Sequence, residues 1–327
     1  MECSPSGEPI NDMNILERFY QGNKIALSKL ISYVENQSTD YRKLLAQIYP
    51  KSGKAYRVGL TGPPGAGKST IVDRLTSLLV KEKRKKVGII AVDPTSPFTG
   101  GALLGDRIRM QDLTNQEEVF IRSMATRGSY GGLATTTKEV SVVLDAFGKD
   151  FILIETVGVG QVELDVVNAC DTTIVVFVPE SGDSIQAMKA GLMEIADIFV
   201  VNKSDREGAK RMISELDMIL DIRRIKGEWE YPIVSTEAIN NKGIDLLLAK
   251  IFEHKKFLTD NGILEQRRKN QIKIDLKKII ELKVKELVDE KILNSLDIEE
   301  IAEKVYKGED DPYSAGERIL NQVNLGK

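Results

Sequence analysis

A glycine-rich segment constrains the fold of this chain more than any other feature of its sequence. Residues 62–69 read GPPGAGKS and fit the pattern G-x-x-x-x-G-K-[ST]. The apolar run Val58-Gly59-Leu60 before them predicts the end of a buried strand. Apolar residues recur at helical intervals after them, at Ile71, Leu75, Leu78 and Leu79. A glycine-rich turn between a strand and a helix is typical of a phosphate-binding loop in an α/β protein.

This loop predicts a site for a nucleoside triphosphate. Glycines let the backbone approach the phosphates, so that successive N–H groups and the helix N-terminus point at negative charge. We expect Lys68 to reach the β- and γ-phosphates and Ser69 to ligate magnesium. An ordinary glycine-rich turn before a helix is the alternative. The predicted contacts of the loop are Gly62, Pro63, Pro64, Gly65, Ala66, Gly67, Lys68, Ser69 and Thr70.

A second motif indicates which base is bound. Asn202-Lys203-Ser204-Asp205 fits N-K-x-D and follows the apolar run Ile198-Phe199-Val200-Val201. The Asp205 carboxylate can accept hydrogen bonds from the N1 and N2 donors of guanine, which adenine does not offer in that arrangement. Four residues alone could be a capped turn, but after a phosphate loop they favour GTP. The predicted base contacts are Asn202, Lys203 and Asp205, with Ser235, Thr236 and Glu237 in a loop that closes over the guanine.

Acidic residues occur at or near further strand ends. Asp93 closes one predicted strand, Asp106 follows a glycine-containing loop, and Glu155 opens the segment Glu155-Thr156-Val157-Gly158. Each could be a simple cap or turn former. Magnesium prefers hard oxygen ligands, so these carboxylates and the hydroxyl of Ser69 are the predicted magnesium ligands. Glu155 is also a candidate for positioning the attacking water.

Composition limits the other classes of function. The formal net charge of the 327 residues is -3, with basic and acidic residues interspersed, which argues against nucleic acid and membrane partners. The N-terminus lacks a signal-peptide pattern and no apolar run is long enough to span a bilayer, so we expect a cytoplasmic protein. Two cysteines and the single histidine, His254, argue against a disulfide framework and a multi-histidine metal site.

Strand and helix patterns alternate from Tyr56 onward, with short apolar runs at 87–92, 151–154, 172–178, 198–201 and 233–234. This predicts an α/β fold in which a mostly parallel sheet is flanked by helices. We expect a helical segment over residues 1–50, a P-loop G domain over 51–258, and a helical region over 259–327. The last region carries an apolar stripe that needs a partner, either the chain's own core or a second subunit. The stripe consists of Ile272, Leu276, Ile279, Ile280, Leu287 and Val288.

Several segments together resemble the signature segments of the MeaB/ArgK family of G proteins. They are Asp93-Pro94-Thr95-Ser96, Thr99-Gly100-Gly101, Gly105-Asp106-Arg107, residues 155–161, residues 182–186 and residues 311–315. The resemblance covers nearly the whole chain. It implies a homodimeric, magnesium-dependent GTPase that binds GTP and GDP. It also implies a chaperone of an adenosylcobalamin-dependent acyl-CoA mutase, chiefly methylmalonyl-CoA mutase, that gates loading of the cofactor and exchange of damaged cofactor.

The resemblance also implies roles for single residues. It makes Lys68, Glu155 and Gln161 catalytic, and it places Asp93, Asp106 and Glu155 around magnesium. A segment containing Asp183, Gln186 and Lys189 resembles the loop with which these proteins sense the mutase. Residues 259–327 become a dimerisation arm.

The sequence departs from the family pattern in two places. The arm lacks the tryptophans that usually follow the paired arginines, here Arg267-Arg268, and only Lys189 of a usual lysine pair is present.

Three other functions are alternatives to this one. A transport-associated ATPase or kinase is the first, and Asp205 argues against it because that residue favours guanine over adenine. A metal-insertion GTPase is a second, which the scarcity of Cys and His opposes. A nucleotide-binding module without turnover is the third.

Overall fold

A single sheet organises the part of the chain that the structure, a computed structural model, describes: residues 12–93, 116–125, 132–156, 158, 170–179, 192–221, 229–291 and 298–322. Its strands are β1 (Tyr56–Thr61), β2 (Val87–Asp93), β3 (Val119–Ala125), β4 (Phe151–Thr156), β5 (Thr172–Phe177), β6 (Ile198–Asn202) and β7 (Ile233–Thr236). Their order is β3-β2-β4-β1-β5-β6-β7, and every pairing is parallel. The predicted α/β fold class is confirmed.

Helices connect and flank these strands. They are α1 (Asp12–Tyr20), α2 (Lys24–Glu35), α3 (Tyr41–Ile48), α4 (Lys68–Lys81), α5 (Gly132–Ala146), α6 (Leu192–Ile195), α7 (Ala209–Asp221), α8 (Ile244–Asp260), α9 (Ile263–Lys291), α10 (Ile298–Tyr306) and α11 (Pro312–Gln322). Short 3-10 helices cover Tyr49–Lys51 and Ala238–Asn240. None of these described helices is both long and apolar enough to cross a membrane. Contacts divide the chain into two compact units, one ending at Arg268 and the other beginning at Lys269.

Apolar residues on both faces of the sheet build the core of the first unit. In β4, Phe151 and Leu153 pack in a cluster with α4 and α8, whereas Ile152 and Ile154 pack with α1, α2, α3 and α5. This alternation follows from the period of two in a strand. Both faces are covered, which is typical of a parallel sheet and explains why β4 reads as a nearly continuous apolar run. The N-terminal helices therefore share a core with the sheet, and the domain boundaries at residues 50 and 258 stay predictions.

The edge strand β3 was not anticipated from the sequence. Its residues Val119 and Met124 are buried, but the four positions between them are only half-buried, including Arg122 and Ser123. Arg122 Nε donates to Glu35 Oε1 on α2 at 2.9 Å. A strand with a charged residue in its middle lacks the apolar run by which the central strands are recognised.

A network of charged side chains lies at the amino-terminal edge of the sheet. Asp171 and Asp197 immediately precede β5 and β6. Arg268 donates to both carboxylate oxygens of Asp171, at 2.9 and 2.7 Å, and Arg267 donates to Asp197 Oδ1 through two nitrogens at 3.1 Å. Burial alone would raise the pKa of Asp171, but Arg268 and Arg57 lower it below its usual value. The paired arginines thus fix the first turns of α9 to the strands.

His254 on α8 completes this network as a neutral side chain. Its Nδ1 lies 2.8 Å from Thr172 Oγ1, which in turn lies 2.5 Å from the hydroxyl of Tyr56. The imidazole packs against Trp229, with ring centres 4.6 Å apart, and is fully buried. Burial lowers the pKa of His254 to about 4, although the neighbouring Asp197 acts to raise it.

The burial of the neutral His254 side chain predicts that the protein loses stability in acid. The folded state holds the pKa of His254 at about 4, below the ordinary histidine value of 6.5, so the folded protein binds this proton less readily than the unfolded chain. The stability from neutral His254 is present above pH 6.5 and falls as the pH decreases from there towards 4. The loss amounts to about 3 to 4 kcal/mol at most, because one pKa unit corresponds to about 1.4 kcal/mol.

Urea unfolding of the wild type and of His254→Gln at several pH values measures this loss. The chain has no other histidine, and the carboxylates titrate in both proteins. The wild type should therefore lose about 2 kcal/mol more than the variant when the pH falls from neutral to about 4.5. A difference between the two proteins that does not vary with pH contradicts the assignment.

Candidate nucleotide-binding site

The loop between β1 and α4 has a backbone that only glycine fits at two positions. Gly62 has φ +145°, and a Cβ there would lie 2.2 Å from the carbonyl oxygen of Val176 on β5. Gly67 has φ +84°, and a Cβ there would lie 2.4 Å from Nδ2 of Asn202. Side chains are excluded at both positions by contact as well as by conformation. The glycines of the motif therefore let the loop lie directly against β5 and the end of β6.

Helix α4 begins at Lys68 without a side-chain cap, since Gly67 is its N-cap residue. The first N–H groups of a helix have no intrahelical partner, and with the helix dipole they favour an anion. Lys68 is 5% exposed, and its ammonium donates to the carbonyl oxygens of Gly62 at 2.7 Å and Pro63 at 2.9 Å. The loop thus combines a helix N-terminus that has no side-chain cap with a lysine held within the loop, which suits a phosphate chain.

Ser69 and Glu155 meet beside this loop. The Ser69 hydroxyl donates to Glu155 Oε1 at 2.5 Å, and Glu155 is buried near the end of β4. A hydroxyl and a carboxylate are oxygen donors of the kind that magnesium prefers, so the pair fits a magnesium site beside the phosphates. Asp93 ends β2, which pairs with β4, so its backbone lies at the same edge of the sheet. Asp106 and Gln161 lie outside the described residues, as do Asp183, Gln186 and Lys189.

Threonines connect the segment after β4 to the phosphate loop. The hydroxyl of Thr156 donates to that of Thr61 at 3.0 Å, and the Thr61 hydroxyl donates to the Gly158 carbonyl oxygen at 3.0 Å. Thr61 immediately precedes Gly62. Sequence reasoning did not single out Thr61, and its only signal is a polar residue at the end of an apolar strand. These bonds place the backbone at Gly158 next to the start of the phosphate loop.

Asn202 joins the phosphate loop to the loop after β7. Its Nδ2 donates to the Ala66 carbonyl oxygen at 2.8 Å, and its Oδ1 accepts from Thr236 Oγ1 at 3.0 Å and from the Ala238 N–H at 3.1 Å. Asn202 is 3% exposed. The residue predicted as a base contact therefore also holds two predicted binding segments together.

The other predicted base contacts surround this joint. Lys203 has φ +57° and is half-buried, and Asp205 is exposed. The Ser204 N–H donates to the Thr236 carbonyl oxygen at 3.1 Å, so the two loops also meet through their backbones. Ser235 is exposed, Thr236 is buried and Glu237 is half-buried. The structure thus brings the described predicted residues to the carboxyl-terminal edge of one sheet. That edge is the usual ligand position in such a fold.

A phosphate loop, an N-K-x-D strand end and a parallel sheet define the class of P-loop GTPases, enzymes that hydrolyse GTP. The family model of the methylmalonyl Co-A mutase-associated GTPase MeaB matches residues 27–292. The chain belongs to this family, and the resemblance found in its motifs is confirmed.

Relatives along nearly the whole chain support this membership. A GTPase homologue from Pyrococcus abyssi is 50% identical over 94% of this chain and 96% of its own. GTPase ArgK from Escherichia coli is 36% identical over 91% of each chain. The mitochondrial methylmalonic aciduria type A homolog of Caenorhabditis briggsae is 32% identical over 79% of this chain and 67% of its own. Among solved structures, a LAO/AO transport system kinase has a TM-score of 0.71 at 27% identity and covers 97% of this chain and 99% of its own.

The position of Lys68 predicts the effect of removing it. Lys68→Ala should weaken GTP binding by about 1.5–3 kcal/mol, the contribution of hydrogen bonds to a charged group. It should also lower the free energy of unfolding by about 1–2 kcal/mol, because two buried carbonyl oxygens lose their donor. Titration calorimetry and urea unfolding measure the two effects.

Lys81 provides the matched control for this variant. It lies in the last turn of the same helix and is exposed. Lys81→Ala should leave GTP affinity unchanged. Equal affinities of the wild type and Lys68→Ala would remove Lys68 from the phosphate site.

Proposed function

We propose that the chain is a magnesium-dependent GTPase that acts as a chaperone of an adenosylcobalamin-dependent acyl-CoA mutase of the methylmalonyl-CoA mutase kind. In this role it gates loading of the cofactor and protects or reactivates the mutase. The observation that carries the nucleotide part is the joint at Asn202, which connects the phosphate loop to the predicted guanine loop. Membership in a family named for its association with the mutase supports the chaperone part.

The residues of the phosphate loop have defined tasks in this proposal. Lys68 exchanges its two carbonyl partners for oxygens of the β- and γ-phosphates, while the uncapped N–H groups of α4 hold the phosphate chain. Ser69 and Glu155 hold magnesium, which when bound supplies positive charge against the phosphate oxygens. Glu155 and Gln161 orient the attacking water. This division of tasks stabilises charge and position rather than forming a covalent intermediate.

Asp205 provides the specificity for guanine in this proposal. Its carboxylate accepts hydrogen bonds from N1–H and from the N2 amino group, while Asn202 keeps the surrounding loops at a fixed spacing. The exposed position of Asp205 suits a group that meets its ligand from solvent. A transport-associated kinase, the description given to one solved relative, would instead use ATP.

Nucleotide preference tests this assignment. Wild-type protein should bind GTP with about 10⁴-fold preference over ATP, because a site built to hydrogen-bond one ligand rejects an analogue without the matching groups by this order. Asp205→Asn should shift the preference towards xanthosine triphosphate, whose 2-carbonyl accepts where guanine donates. Calorimetry with the three nucleotides measures both. Equal affinity of the wild type for ATP and GTP would favour the transport kinase instead.

The chaperone role predicts that a mutase accelerates hydrolysis. G-protein sites completed by a partner gain about 10³–10⁵ in rate, so phosphate release should rise well above its basal rate when a cobalamin-dependent mutase is added. Lys189→Ala should reduce the stimulated rate and leave the basal rate unchanged, since Lys189 lies in the segment that resembles the mutase-sensing loop. Phosphate release with and without mutase gives both rates. Equal stimulation of the two proteins would remove Lys189 from the response.

The homodimer is a further part of the proposal. Within the second unit, the apolar stripe of α9 is exposed: Ile272 by 43%, Leu276 by 54% and Ile280 by 61%. A stripe of this kind needs a covering surface, and a second copy of α9 supplies one.

The mass of the protein in solution tests this dimer. Light scattering should give a molecular mass roughly twice the 36.4 kDa of one chain. Leu276→Glu combined with Ile280→Glu should give a monomer, and a monomeric wild type would contradict the proposal.

A further inference from the structure

A tight turn begins at Glu237, the last of the residues predicted to close over the guanine, and ends at the oppositely charged Lys242. Glu237 and Lys242 pair in antiparallel fashion through two backbone hydrogen bonds, of 3.1 and 3.2 Å, around the 3-10 helix Ala238–Asn240. Gly243 follows with φ +74°, and a Cβ there would lie 2.2 Å from the carbonyl oxygen of Ser235. The turn is therefore closed by its backbone and lies against the end of β7.

The side chains at the two ends of this turn form an ion pair. Lys242 Nζ lies 2.9 Å from Glu237 Oε2, which also accepts a hydrogen bond from Asn240 Nδ2 at 3.1 Å. The side chain of Glu237 is 17% exposed and that of Lys242 is 68% exposed. The carboxylate of Glu237 is thus held by two donors within the turn.

Asp205 lies within the electrostatic reach of this pair. The Ser204 N–H donates to the Thr236 carbonyl oxygen, so the residues directly before Asp205 and directly before Glu237 are bonded to each other. The hydrogen bond and charge of Glu237 raise the pKa of Lys242, and the charge of Asp205 adds to this shift. The Lys242 ammonium therefore pairs with Glu237, and Asp205 contributes to the charge around it.

We propose that Lys242 is a positioning residue for guanine recognition, acting by holding the Glu237 carboxylate in the turn and leaving Asp205 as the carboxylate that meets the base. This inference rests on the proposed role of Asp205. The donors of guanine attract any carboxylate, and two unpaired carboxylates side by side repel each other. Without Lys242, the charge of Glu237 is unpaired beside the loop that carries Asp205, and it weakens guanine binding.

The effect of Lys242 should be modest and confined to binding. Exposed ion pairs contribute little individually, so Lys242→Met should weaken GDP and GTP affinity about two- to fivefold. Because Lys242 acts at the base and not at the phosphates, KM should rise while kcat stays unchanged. Lys242→Arg should restore affinity. The backbone bonds of the turn do not involve the side chain, so the variant should unfold at the same urea concentration as the wild type.

The decisive experiment is a double-mutant cycle with GDP as the probe at low ionic strength. If Lys242 acts through Glu237, Glu237→Gln should remove the effect of Lys242→Met, so that the double variant binds GDP as Glu237→Gln does. Lys250→Met is the matched control, since Lys250 pairs with Glu253 on α8 at 2.7 Å without involving the guanine loop. It should bind GDP as the wild type does.

Two results would overturn the inference. One is a Lys242→Met variant with unchanged GDP affinity. The other is a double variant that shows the full loss, since the lysine would then not act through Glu237. Asp205→Asn, measured with xanthosine diphosphate in the same series, separates this failure from that of the proposed function. If that variant gains xanthine affinity but Lys242 has no effect, only the inference fails; if it gains none, the base assignment fails with it.

Discussion

The parallel pairing of all seven described strands is the constraint on which the rest of the structure depends. In a parallel sheet every strand ends at the same edge, so loops distant in sequence meet there. Residues 62–69 after β1, Glu155 near the end of β4 and Asn202 at the end of β6 are brought together in this way. The opposite edge receives the starts of the strands, and there Asp171 and Asp197 bind the paired arginines of α9. One edge is built for a ligand and the other for attachment of a helix.

The two edges handle charge differently. At the amino-terminal edge, Asp171 is 2% exposed and its carboxylate meets two arginines, so removing one partner would leave a buried charge uncompensated. At the carboxyl-terminal edge, Lys68 is nearly as buried but donates to neutral carbonyl oxygens. The charges of the amino-terminal edge are thus paired within the protein, whereas the phosphate loop holds its lysine through main-chain carbonyl groups.

The fold class and the strand-end motifs were predictable because they depend on local patterns. Apolar runs marked the central strands, and the residue types of the loop at 62–69 followed from the chemistry of phosphate binding. The contacts within the site were not predictable. Asn202 and Ala66 are 136 positions apart, and nothing local in either segment indicates that they meet. The partners of Arg267 and Arg268, and the position of Lys242, depend in the same way on how the sheet assembles, while β3 escaped prediction because a charged residue interrupts it.

The contacts of Lys68 have a consequence for how tightly any nucleotide is held. The Lys68 ammonium does not point unpartnered into the loop, because it donates to two carbonyl acceptors within it. In the proposed complex, phosphate oxygens compete with these two carbonyl oxygens for the ammonium, and each such bond contributes about 0.5–1.5 kcal/mol. The affinity for a nucleotide is then the difference between two sets of hydrogen bonds and not the sum of the contacts in the complex. Because the two carbonyl oxygens can accept the ammonium again, release of a nucleotide does not leave a buried charge without partners, which eases the replacement of one nucleotide by another.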